Sequence, residues 1–133
     1  GQPKWWRRGA CTSAFFSKDG THLYSLDASG RLDVVDAESG KLVQPFFVPE
    51  VETDHELIGA GALAANHNVI ITVGGRGVVA TWDVGSRKRI FEDTPFGKDV
   101  DLPVLAISSD GRYFAVGSET GKLVVFRLSD QLR

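Results

Sequence analysis

The feature that most constrains the fold is a pattern of short apolar runs and glycine-rich corners that recurs along the chain. Its clearest copy runs from Val69 to Lys88, where two β-branched runs flank the corner Gly74-Gly75-Arg76-Gly77. Short β-branched runs bounded by such corners are typical of antiparallel hairpins. Glycine also supplies the positive φ that a tight turn requires. The segment therefore predicts strands.

Landmark residues of this segment return at constant spacings. Asp36 and Asp83 lie 47 positions apart, and the turn Asp19-Gly20 lies 91 positions from Asp110-Gly111. Gly30 has a glycine counterpart at both spacings. Because several landmarks agree at each spacing, we infer three related units with periods near 44 to 47 residues.

Each complete unit is predicted to contain four short strands, a to d, and no stretch shows an uninterrupted helical period. The domain prediction is an N-terminal arm or outer strand (1–10), unit one (11–48), a connector with unit two (49–92), and a connector with an incomplete unit three (93–133). The predicted strands are Thr12–Phe16, His22–Leu26, Arg31–Asp36, Lys41–Val48, Gly61–Ala65, Val69–Val73, Val78–Asp83, Lys88–Glu92, Val104–Ile107, Tyr113–Gly117 and Leu123–Leu128.

These repeats, the Asp-Gly turn between strands a and b, and Trp82-Asp83 at the end of a third strand resemble the WD-repeat β-propeller family. The resemblance covers about Cys11 to Leu128, although units one and three have Val35-Asp36 and Phe126-Arg127 in place of Trp-Asp. It implies an all-β partial propeller of about three four-stranded antiparallel blades, the last incomplete. Propellers close with roughly four to eight blades, so we expect a piece of a larger propeller.

The blades should be apolar on both faces. Val69–Val73 is almost entirely apolar or β-branched, which is typical of a strand buried on both sides. The open faces of the end blades then need a cover: further blades of the parent chain, a partner chain or self-association. The resemblance also implies a structural polar network in the blade of unit two, formed by His55, Thr72, Trp82 and Asp83.

Charge and cysteine content bear on the class of partner and on the cellular compartment. Fifteen Lys and Arg against seventeen Asp and Glu give a net charge of −2, so no global field favours nucleic acid or membrane. The single Cys11 allows no internal disulfide, which favours cytoplasm or nucleus, and we expect it to be a small packed residue. No apolar run approaches the roughly 18 residues of a membrane span. The chain lacks Met and begins at Gly1, as expected of a processed or cut piece.

No sequence motif indicates a catalytic, nucleotide-binding or metal-binding site. Gly59–Ala64 fits a dinucleotide fingerprint only without its strand and helix context, so it is interpreted as small residues on a tightly packed strand. Gly117–Lys122 resembles a phosphate loop one residue short, and the repeat assigns it to a b–c corner. The histidines have no zinc-ligand spacing. We therefore predict no enzyme activity, no cofactor, no metal and no small-molecule substrate.

Two segments are candidate partner-binding sites. Trp5, Trp6, Arg7 and Arg8 could stack on RNA bases or grip a partner groove. The alternative is an outer strand whose Trp rings pack on the first blade. The connectors Pro49–Leu57 and Asp93–Pro103 are acidic, and a basic partner would meet the following side chains: Glu52, Asp54, Asp99 and Asp101.

The predicted function is a non-enzymatic protein–protein interaction scaffold, a WD-repeat propeller piece of a multi-subunit assembly. The alternative is an RNA-associated propeller subunit of a ribonucleoprotein complex of the ribosome-assembly type. Fold alone does not separate these two functions.

Overall fold

A computed structural model describes residues 2–6, 11, 13–27, 31–47, 58–64, 68–74, 77–86, 88–98 and 100–131, with the side chains of 44–47, 58–59, 130 and 131 outside the description. The fold is all-β, as predicted from the sequence. In the described residues the strands form three antiparallel sheets of four, four and three strands, the arrangement expected of partial propeller blades.

The three sheets follow one another along the chain as simple meanders. The first contains β1 (Ser13–Phe16), β2 (His22–Leu26), β3 (Arg31–Asp36) and β4 (Leu42–Phe47). The middle sheet contains β5 (Ile58–Ala64), β6 (Val69–Gly74), β7 (Val79–Asp83) and β8 (Lys88–Asp93). The third contains β9 (Val104–Ile107), β10 (Tyr113–Gly117) and β11 (Leu123–Arg127), followed by a 3-10 turn at Leu128–Gln131.

The sheets meet through their first strands and stack through their faces. Strand β5 lies against both β1 and β9, and the Gly61 amide donates a hydrogen bond of 2.8 Å to Ser13 Oγ. A Cβ placed on Gly61 would lie 2.5 Å from Leu26 Cδ2. The absence of a side chain at Gly61 is therefore what allows this close approach between the first and middle sheets.

The middle sheet is the centre of the core, because both of its faces are covered. Ile70 and Trp82 pack with the first sheet in one buried cluster. Ile71, Val73 and Val79 pack with the third sheet in another. Every residue of β6 is buried, as the apolar run at these positions predicts. Alternation along a single strand thus contributes to two separate cores.

One backbone hydrogen bond recurs in all three sheets at the spacings found in the sequence. It joins the residue after the third strand to the turn between the first two strands, and its length is 2.8 to 3.1 Å. The donor amides and acceptor carbonyls are, in order, Ala37 to Thr21, Val84 to Asn68 and Leu128 to Arg112. The three units therefore share a hairpin frame even where their side chains differ.

Some boundaries and environments differ from the predictions. Strand β5 begins at Ile58 rather than Gly61, because backbone pairing with β6 extends past a register shift between Ile58 and Ala60. Residues 2–6 contain no strand, and residues 7–10 lie outside the description, so the assignment of 1–10 as an arm or outer strand stays a prediction. Cys11 is exposed rather than packed, and its thiol donates to the Ser13 carbonyl at 3.2 Å. Within the described residues, no helix is long and apolar enough to cross a membrane.

Candidate functional site

Two members of the predicted blade network lie together inside the middle sheet. The Trp82 indole Nε1 donates a buried hydrogen bond of 3.0 Å to Thr72 Oγ1. The Arg89 guanidinium lies over the same indole, 5.1 Å from its centroid, and also pairs with Glu92. Arg89 therefore contacts both an aromatic ring and a carboxylate. His55 lies outside the described residues.

Asp83 is separate from this network and shapes the following turn. Its carboxylate accepts the Ser86 backbone N–H at 2.7 Å. Asp36 does the same in the first sheet, accepting the Ser39 amide at 2.8 Å. The Ser86 side chain and amide hold the pKa of Asp83 below its ordinary value, and the Ser39 amide and hydroxyl lower the pKa of Asp36. Both aspartates are therefore turn-forming residues.

A second aspartate turn is repeated in the first and third units. The Thr21 amide and the hydroxyls of Thr21 and Ser17 lower the pKa of Asp19 to about 2. Asp110 accepts the Arg112 amide at 3.0 Å and the Ser108 hydroxyl at 2.7 Å, and its pKa is lowered for the same reason. In both aspartates these hydrogen bonds are accepted by Oδ1, so each carboxylate shapes its own turn.

Asp101 is the described part of the predicted acidic face. It is exposed, and its carbonyl accepts the Glu119 amide at 3.0 Å while its own amide donates to Glu119 Oε1 at 3.3 Å. This contact places two carboxylates at one corner of the third sheet. Glu52, Asp54 and Asp99 lie outside the described residues, so the wider patch stays a prediction.

The two arm tryptophans have different environments. Trp5 Nε1 donates to the Ala37 carbonyl at 2.7 Å, and its ring lies so close to Gly40 that an added Cβ would be 2.6 Å away. Lys4 supports this contact through a 2.7 Å ion pair with Glu38. Trp6, in contrast, is 71% exposed. Arg7 and Arg8 lie outside the described residues. Trp5 therefore fastens the arm to the first sheet, and Trp6 faces solvent.

The outer face of the third sheet is open, because Leu123 is 67% exposed and Val125 is 60% exposed. The first sheet also exposes apolar side chains, at Phe16, Leu42 and Val43. On its outer face, however, Val35 is buried and Asp33 pairs with Arg31 at 3.1 Å. The outer face of the first sheet is therefore partly covered, whereas that of the third sheet is not.

A groove at the end of the third sheet was not identified from the sequence. It is lined by Arg112, Tyr113, Arg127 and Ser129 and has a volume of about 510 Å³. The available signal was the repeat alignment, because Arg127 occupies the position of Asp36 and Asp83. An arginine cannot accept the turn amide as those aspartates do, and in this unit the 3-10 turn follows directly.

The glycine motifs have structural surroundings. Strand β5 runs through Ile58–Ala64, so Gly59–Ala64 lacks the strand-to-helix turn of a dinucleotide site. Gly117–Lys122 forms the corner between β10 and β11, where the Ser118 hydroxyl accepts the Lys122 amide at 3.1 Å. Within the described part of the chain, no group of three or more His, Cys, Asp or Glu side chains could hold a metal ion.

A scan of the sequence against protein-family models finds no match, and a comparison with curated proteins likewise finds none.

Proposed function

We propose that this chain is a non-enzymatic protein–protein interaction scaffold, a WD-repeat propeller piece of a larger cytoplasmic or nuclear assembly. The observation that carries the proposal is the open face of the third sheet. Leu123 stands at the repeat position of Val79, which is fully buried between two sheets, yet Leu123 is 67% exposed. The third sheet therefore presents to solvent a face that its neighbour buries.

Contiguous exposed apolar surface on a soluble domain marks an interaction site. Val125 and Val104 extend the surface around Leu123, with exposed fractions of 60% and 49%. A scaffold uses such a face to hold a neighbouring domain, while loops at the sheet edges select the partner. The acidic corner at Asp101 and Glu119 is one such edge and suits a basic partner.

The proposal is tested by affinity capture with the full chain and two surface variants. The first variant, Leu123→Asp with Val125→Asp, removes the apolar face. The second reverses charge across the acidic connectors, with Lys at Glu52, Asp54, Asp99 and Asp101. We expect a reproducible set of proteins with the unaltered chain and loss of that set from at least one variant. Thermal unfolding of each variant checks that the fold is retained.

Capture that is the same for all three proteins would refute the interaction proposal. Sedimentation of the unaltered chain across concentrations distinguishes two covers for the open faces. A particle whose mass is a multiple of the monomer indicates self-association, whereas a monomer indicates that a different chain or further blades supply the cover.

An RNA-associated subunit of a ribonucleoprotein complex is the second candidate, and the exposure of Trp6 favours it. Bases stack on exposed aromatic rings, and neighbouring cations bind the phosphates. Salt-dependent retention of RNA should then fall when Trp6→Ala is combined with Arg7→Gln and Arg8→Gln. Trp5→Ala is the matched control, since Trp5 is held by the Ala37 carbonyl. Retention that is unaffected by the triple variant would refute an RNA role for the arm.

A further inference from the structure

Two positions that the recurrent backbone bond brings side by side carry different charges in the three units. The first position is the last residue of the a–b turn, and the second is the last residue of the third strand. Because the next residue donates its amide to the turn carbonyl, the two positions are adjacent in every unit. Their occupants are Thr21 and Asp36 in unit one, Asn68 and Asp83 in unit two, and Arg112 and Arg127 in unit three.

Unit three therefore has two cations where the other units have a neutral residue and a carboxylate. Both arginines are exposed, and they line one groove with Tyr113, the cross-strand partner of Arg127, and with Ser129. Neither guanidinium forms a salt bridge with a described residue. Asp110 is the nearest acidic neighbour in sequence, and its carboxylate accepts the Ser108 hydroxyl and the Arg112 amide. The charge of Arg112 also contributes to the lowered pKa of Asp110.

We propose that Arg112 and Arg127 bind a carboxylate in an acidic segment of a protein partner. Arginine presents a planar fork of N–H donors that matches a carboxylate, and a second arginine on the same oxygens strengthens the contact. Tyr113 and Ser129 line the same groove.

The surroundings favour a protein segment over nucleic acid. Val125 lies on the same face of β11 as Arg127, two residues away, and is 60% exposed. A peptide that alternates acidic and apolar side chains would neutralise the arginines and cover Val125 together. A nucleic acid backbone offers charge without apolar side chains. The inference rests on the proposed interaction function and adds a specific site and ligand chemistry to it.

The test uses the full chain and a fluorescent synthetic decapeptide of alternating Glu and Val, measured by anisotropy. A peptide with Gln in place of Glu and a ten-nucleotide single-stranded RNA are the comparison probes. Arg127→Asp and Arg112→Asn introduce the residues that unit two carries at these positions. Lys122→Gln is the matched control, since it removes one positive charge at the opposite end of the same sheet.

We expect the Glu peptide to bind and the Gln peptide to bind far more weakly. Affinity for the Glu peptide should fall about tenfold in Arg127→Asp, because attraction becomes repulsion, and should stay within about twofold in Lys122→Gln. Thermal unfolding confirms that Arg127→Asp is folded. Equal affinity in Arg127→Asp and the unaltered chain, or binding of the RNA without the peptide, would overturn the site. In that case, the capture experiment decides how much has failed. If captured proteins are still lost from the Leu123 variant or the connector variant, only the arginine site is refuted and the proposed interaction function stands.

Discussion

The middle and third sheets are built on the same repeat, yet they use it differently. Strand β7 is buried from Val79 to Trp82, whereas the equivalent strand β11 alternates between exposed and half-buried residues. Both strands are rich in β-branched residues, so propensity does not separate them. The difference is that the middle sheet has a neighbour on each face. Apolar character on both faces therefore indicates where a second neighbour would pack, and the third sheet keeps that face open.

The two sheets also fill their inward faces with different chemistry. In the middle sheet, Trp82 donates to Thr72 inside the core. At the equivalent positions the third sheet has Phe126 and Val116, and Phe126 instead stacks on Phe114 with ring centroids 5.0 Å apart. A polar pair and an aromatic stack thus serve equivalent junctions. The polar pair is more demanding, because each buried polar group needs its partner.

The largest expected effect is the loss of stability when a buried side chain of the middle sheet is truncated. Ile71→Ala should lower the free energy of unfolding by about 2 to 5 kcal/mol, because it removes a fully buried side chain and leaves a cavity. Leu123→Ala on the open face of the third sheet is the control, with an expected loss of about 1 kcal/mol or less. Urea unfolding followed by circular dichroism gives both values. Equal losses would show that the open face is covered in solution.

The contact between the first and middle sheets is tested by adding a methyl group. Gly61→Ala should destabilise the chain by about 1 to 3 kcal/mol, because the new Cβ meets Leu26 Cδ2 at 2.5 Å. Gly85→Ala should be nearly neutral, since its nearest neighbour would be 3.6 Å away. Combining Gly61→Ala with Leu26→Ala should cost less than the sum of the two single losses. Additive losses would mean that the two residues do not touch.

The comparison of the two sheet junctions is tested by replacing Trp82 and Thr72 with Phe and Val, the residues that the third sheet has at the equivalent positions. Trp82→Phe alone should lower stability by about 1 to 3 kcal/mol, because it leaves the buried Thr72 hydroxyl without its donor. Adding Thr72→Val should recover part of that loss. The four unfolding free energies form a double-mutant cycle. A coupling energy of zero would contradict a structural role for this hydrogen bond.

Thr81 offers a smaller test of the same kind. Its hydroxyl is fully buried and has no hydrogen-bond partner among the described residues. The equivalent residue of the third sheet is Val125. Thr81→Val should therefore leave stability unchanged or raise it by up to about 1 kcal/mol in urea unfolding, because it removes an unpaired polar group. A clear loss of stability would indicate that the hydroxyl has a partner in solution.

The smallest effect concerns pH and the turns shared by the first and third units. The folded pKa of Asp19 is about 2, below its ordinary value of 3.8. Its stabilising contribution is therefore complete above pH 3.8 and is lost as the pH falls toward 2. The stability difference between the unaltered chain and Asp19→Asn should be constant above about pH 5 and should shrink below pH 3.8. The stability difference at each pH is measured from the midpoints of urea unfolding of the two proteins.

Lys18→Gln in the same turn is the control for that pH series, because it changes charge without removing the carboxylate. A difference between the unaltered chain and Asp19→Asn that persists unchanged to pH 2 would contradict the lowered pKa.

The sequence predicted the strands well wherever glycine and aspartate mark their ends. Strands β2, β3, β9 and β10 have the predicted bounds, and glycines with positive φ, Gly20 and Gly111, mark the turns before β2 and β10. It predicted less where such markers are absent. The bounds of β5 are set by pairing with β6, which residue types such as Gly and Ala do not reveal. Exposure of Cys11 and Trp6 depends on which neighbouring surface reaches them, and local sequence does not encode it.

The candidate sites also differed in how far the sequence predicted them. Thr72 and Trp82 could be grouped because the family resemblance implies a polar network there, and the two residues lie on paired strands. The groove of Arg112 and Arg127 was not identified from the sequence, although the pairing of Tyr113 with Arg127 brings both arginines to one end of the third sheet.

The amino-acid sequence by itself determined the repeat, the antiparallel hairpins and the two-faced apolar strands, because these depend on local backbone preferences and on side chains that alternate with period two. Only the tertiary structure decided which faces are buried and that Gly61 lies where an added Cβ would meet Leu26. Those outcomes depend on distances between residues far apart in the chain, which are fixed when the sheets stack.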